Sequence, residues 1–118
     1  MSALSSQTPS LLGSAAEIAA EHGLEWRAEA HAVSGVGRVR WTGGDSESVC
    51  RAVGDLRRAA EMFDAPVVVE AAPPAVKRRL DVWGADPSNA AHALASELRR
   101  AFDPNRTLNP GRFLADAA

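Results

Sequence analysis

Two short runs of alternating residues on either side of a glycine turn limit the possible folds of this chain more than any other feature. Over residues 24–33, Leu24, Trp26, Ala28, Ala30 and Ala32 interleave with Glu25, Arg27, Glu29 and His31, the period-two pattern of a strand with one wet face. Ser34-Gly35 can turn the chain, and over residues 37–42 Val39 and Trp41 then alternate with Arg38 and Arg40. Together the runs predict a β-hairpin. Such a hairpin is marginal alone and needs its apolar face covered.

Helical patterns lie on both sides of it. Leu11, Leu12, Ala15, Ile18 and Ala19 make an apolar stripe that closes at His22-Gly23, which predicts a first helix from Ser10. After the loop Gly43-Gly44-Asp45, Asp45 or Ser46 can cap a helix over residues 46–63 that buries Val49, Val53, Leu56, Ala60 and Phe63. Ala65-Pro66 ends it, and the β-branched run Val67-Val68-Val69-Glu70 predicts a central strand. Pro73-Pro74 can open a short helix over 75–80. Trp83-Gly84 forms a corner, and Pro87 suits the first turn of a last helix over 88–102. Residues 1–9, small and polar, read as a disordered lead-in to a single domain over 10–118. The order is that of an α+β, ferredoxin-like β-α-β-β-α-β sandwich without its first strand, an antiparallel sheet with helices packed on one face. The missing strand is either unrecognised, lost by truncation, or supplied by another chain.

The chain of 118 residues is one domain by size, and 46% hydrophobic with 24% charged residues is a globular composition. A net charge of −2 argues against nucleic acid, because acidic neighbours cancel the short runs Arg57-Arg58, Lys77-Arg78-Arg79 and Arg99-Arg100. The single cysteine, Cys50, allows no internal disulfide and fits a reducing compartment. No secretion signal and no membrane-length apolar stretch is legible, so the expected location is the cytoplasm. His22 and His92 read as surface or cap residues, and Trp26, Trp41 and Trp83 as core. No Gly-rich phosphate loop follows a strand and opens a helix.

The most particular segment is Phe102-Asp103-Pro104-Asn105-Arg106-Thr107-Leu108-Asn109-Pro110-Gly111-Arg112-Phe113. Asp103-Pro104 stops the preceding helix, and Asn109-Pro110-Gly111 makes a second tight turn, so the segment reads as a rigid hook with apolar flanks. Asp-Pro-Asn-x-x-Leu-Asn-Pro-Gly-Arg-Phe after a helix resembles the C-terminal signature of FAD-linked oxidases of the vanillyl-alcohol oxidase and p-cresol methylhydroxylase type. Asp81-Val82-Trp83-Gly84 and the stretch from Ala30 to Gly37 resemble the flavin-containing small subunit of bacterial glycolate oxidase. The resemblance runs over residues 24–113.

The resemblance implies the C-terminal cap portion of an FAD-dependent oxidoreductase acting on 2-hydroxy acids. Asn109, Pro110, Gly111 and Arg112 are then expected nearest the flavin, and His31 faces the substrate cavity. In the related dehydrogenases a Gly-His-x-Gly-Asp-Gly-Asn-x-His segment contributes to a divalent-metal site. Here His31 and Gly35 match it, whereas Ser34, Val36 and Arg38 replace its Asp, Asn and second His, so no metal and no catalytic residue are expected. The family holds FAD with a separate domain of about two hundred residues that this chain has no room for. It is therefore expected to be inactive alone and to need a flavin-binding domain or companion subunits. The rival reading from the residues is a free-standing α+β interaction module that forms a homodimer through a sheet edge.

Overall fold

The computed structural model describes residues 1–84 and 90–109. They fall into two compact units, Met1–Gly84 and Ala85–Ala118. In the first unit, α1 (Thr8–Glu21), β1 (Glu25–His31), β2 (Val36–Thr42), α2 (Ser46–Glu61) and the short α3 (Pro74–Lys77) follow in order. The second unit contributes α4 (Ala90–Phe102). The fold is α+β, and its sheet is antiparallel with two strands among the described residues.

The hairpin forms as the alternation requires. Trp26 stands opposite Trp41, Ala28 opposite Val39 and Ala30 opposite Gly37, while Arg27 faces Arg40 and Glu29 faces Arg38 on the charged side. Gly35 makes the turn at φ 66, and an added Cβ there would collide with the carbonyl of Ala3.

Leu11, Ile18, Leu24 and Leu56 build the core together with Ala15, Ala19, Ala52 and Ala60, whose surfaces are fully covered. Alanines on both α1 and α2 let the two helices approach closely, so little volume is needed to fill the interface. Asp45 caps α2 by accepting the Ser48 N–H at 2.7 Å. His22, at the end of α1, is tied to α2 through Asp55, with Nε2 2.7 Å from Oδ2. That partner was not expected from sequence, because the pair is separated by 33 residues. The Asp55 carboxyl lies below its ordinary pKa chiefly because of the His22 hydrogen bond, then that of Arg58.

Several expectations are corrected. The run 67–70 is extended but lies outside the sheet. Its Val69 N–H donates to the Val82 carbonyl at 2.7 Å, and Arg57 donates to the carbonyls of Val67 at 3.4 Å and Asp81 at 2.6 Å. The segment is thus stapled to the loop that follows it, while its other side has no continuous strand to join. Residues 1–9 are not a loose lead-in. Ser2 bridges Val36, Met1 and Ala3 pack on the core, and α1 already begins at Thr8 with Pro9 in its first turn. The dry face expected for β1 stays exposed along the whole strand, Trp26 included. Trp26 and Trp83 are 44% and 37% exposed, so of the tryptophans Trp41 alone packs against the core cluster. Pro87, expected in the first turn of α4, lies outside the described residues.

Arg57 is the main tether of the 67–84 segment, and burial pulls its pKa down from the ordinary arginine value, with Asp81 opposing that shift. Substituting Arg57→Ala should cost about 1–3 kcal/mol by removing charged donors from two carbonyls. Chemical denaturation would read this loss, and amide exchange should localise it to the Val69–Val82 pairing.

Candidate functional site

The segment after α4 is built around one carboxylate. Asp103 is buried, and its N–H still belongs to the helix, donating to the Arg99 carbonyl at 2.8 Å. Pro104 prevents continuation, and the Asp103 side chain takes over as acceptor for the next turn. Oδ1 accepts the Thr107 N–H at 2.8 Å and the Thr107 hydroxyl at 3.0 Å, while Oδ2 accepts the Leu108 N–H at 2.8 Å. The Arg106 N–H returns to the Asp103 carbonyl at 3.0 Å. Arg106 and Asn109 hold left-handed backbone angles, φ 53 and 46. Asparagine accepts that region better than most side chains.

The carboxyl of Asp103 is held below the ordinary aspartate pKa. The backbone N–H of Thr107 contributes most, then that of Leu108, and desolvation opposes them. For a depressed acid, the stabilisation is present above the ordinary aspartate range and is lost as pH falls through the lowered value. Protection of the Thr107 and Leu108 amides, taken relative to their intrinsic exchange rates at each pH, should therefore stay constant from neutrality through the ordinary aspartate range. Protection should fall only below that range, a profile that NMR can follow.

Asn109 is exposed at the end of this hook, and its side chain has no partner among the described residues. Pro110, Gly111 and Arg112 lie outside the described residues. His31 ends β1 in the other unit and is exposed, with Nδ1 2.9 Å from the Ser34 hydroxyl and accepting the Ser34 N–H at 3.3 Å. That contact makes it part of the hairpin turn. Arg38 donates to Glu70 at 3.2 Å and lies 3.9 Å from Glu29. Among the described residues no three His, Cys, Asp or Glu side chains converge.

A groove of about 610 Å³ between β2 and residues 67–72, floored by Val49, Val53 and Leu56 of α2, was not legible in the sequence. Neither His31 nor Asn109 lines it. Cys50, half-buried on the same helix, has its Sγ 4.0 Å from the Val76 carbonyl. Among the described residues no helix is long and apolar enough to cross a membrane. Comparison with protein families, curated proteins and solved structures finds no match.

Proposed function

We propose that this chain is the C-terminal cap portion of an FAD-dependent oxidoreductase of the glycolate oxidase type. In this reading it walls the flavin held by a separate domain and has no activity alone. The observation that carries it is the Asp103-ordered hook, which presents Asn109 in a left-handed conformation with an amide that has no partner among the described residues. An amide offers one acceptor and two donors. The pyrimidine edge of an isoalloxazine offers carbonyl oxygens and an imide N–H, so Asn109 fits what a flavin wall requires. When bound, the flavin would accept a hydride from a 2-hydroxy acid; this chain would orient the ring's edge and exclude water. The apolar stripe of α4, Leu94, Leu98 and Phe102, is exposed, as a surface that seats on another body would be.

Co-expression with a flavin-holding domain of this oxidase class tests the proposal. A yellow complex that survives desalting is expected, while the chain alone mixed with FAD should elute colourless. Failure of the two polypeptides to associate would overturn the reading.

A further inference from the structure

The groove beside β2 has the form of a vacant strand position with one end already started. Met1–Ala3 lies in that end, hydrogen-bonded on both sides. The Met1 ammonium donates to the Gly37 carbonyl at 3.0 Å, the Gly37 N–H donates back to the Met1 carbonyl at 3.0 Å, and the Ala3 N–H reaches Gly35 at 3.0 Å. On the opposite rim the Ser2 N–H donates to the Pro66 carbonyl at 3.3 Å. An antiparallel ladder alternates its direction residue by residue. Since Gly37 directs both backbone groups into the groove, Val39 and Trp41 direct theirs the same way. Across from them Pro66 sets the same parity for Val68 and Glu70, while Val69 turns outward to Val82.

The groove therefore has two rims of backbone donors and acceptors above the apolar floor of α2. The Trp41 indole N–H, on a lining residue, is buried without an acceptor. Arg38 reaches across to Glu70 and ties the rims together on the charged face.

We infer that this groove accepts an extended strand from a partner polypeptide, antiparallel to β2 and in line with Met1–Ala3, by strand addition at both rims. Register fixes its chemistry. Residues opposite Val39 and Trp41 face α2 and are apolar; the residue opposite Arg40, a cation with no ion pair among the described residues, is acidic. This inference stands on the groove alone and does not depend on the flavin reading.

The probe is the peptide acetyl-Thr-Val-Glu-Val-Thr-amide, added in trans to the full chain and, separately, joined ahead of Met1 to raise its effective concentration. Amide exchange read by NMR should slow about tenfold or more at Val39 and Trp41, as expected when hydrogen bonds form at a free edge. A peptide with the same residues and the alternation shifted by one should give no protection. Arg40→Glu should weaken the acidic peptide and favour one with Lys in place of Glu. Absence of protection in both formats, or equal protection by matched and shifted peptides, would overturn the inference. Concentration-dependent protection of the same amides in the chain alone would also overturn it, by making a second copy the occupant.

Discussion

Replacing Leu11 with alanine should destabilise the Met1–Gly84 unit by about 2–5 kcal/mol, the range for truncating a buried leucine. Leu11 is 1% exposed and is one of the two largest fully buried side chains. Its neighbours in the core are largely alanines already, and alanines cannot rotate to refill a void. The upper part of that range is therefore expected. Domains of this size are stable by about 5–15 kcal/mol in total, so a loss of about 4 kcal/mol should lower the melting temperature of the variant by roughly 15–30 °C. Leu4→Ala, at a residue 68% exposed, should change stability by less than about 0.5 kcal/mol. Thermal and urea unfolding of the two variants side by side would measure the contrast. Similar losses at Leu4 and Leu11 would show that the α1 interface is not the core.

The second large effect belongs to the hook. Asp103→Ala leaves the N–H groups of Thr107 and Leu108 without their carboxylate, and the hydroxyl of Thr107 loses the same partner. Exchange at both amides should accelerate roughly tenfold or more, since these are hydrogen bonds to an ionised acceptor. Helix α4 ends at Phe102 for an independent reason, the proline at 104, so its own amides should change little. In a complex with a flavin-holding domain the same variant should lose flavin retention if the hook forms the wall. Asp103→Asn, which keeps an acceptor oxygen, should fall between the two. Unchanged exchange at Thr107 and Leu108 in Asp103→Ala would mean that the turn is held by something else.

Much of this architecture was legible because it is local. The hairpin follows from alternation on both sides of Gly35, and α2 follows from the Asp45 cap and the Val49, Val53, Leu56, Ala60 stripe. A strand at 67–70 was wrongly expected because β-propensity reports a residue's fit to a pleated surface, and pairing needs a neighbour that the sequence does not display. The docking of Met1–Ala3 was missed for a related reason: its contacts to Gly35, Gly37 and Pro66 are made by backbone atoms, which every sequence possesses. In the hook, Asp103-Pro104 was legible as a stop. That the Asp103 side chain organises the following turn was not read, although an aspartate followed four residues later by threonine is the local signal for it. The His22–Asp55 tie links two helices across a hairpin, a separation that no local pattern encodes.

The most direct test of the cap proposal is the affinity of this chain for a flavin-holding domain of the glycolate oxidase type, measured with that domain loaded with FAD and stripped of it. If Asn109 and the hook contact the ring, binding should be at least about tenfold tighter to the loaded form, equivalent to roughly 1.4 kcal/mol. Asn109→Ala should erase that difference while leaving affinity for the stripped form unchanged. Equal affinity for loaded and stripped domains, or a flavin dependence untouched by Asn109→Ala, would contradict the account.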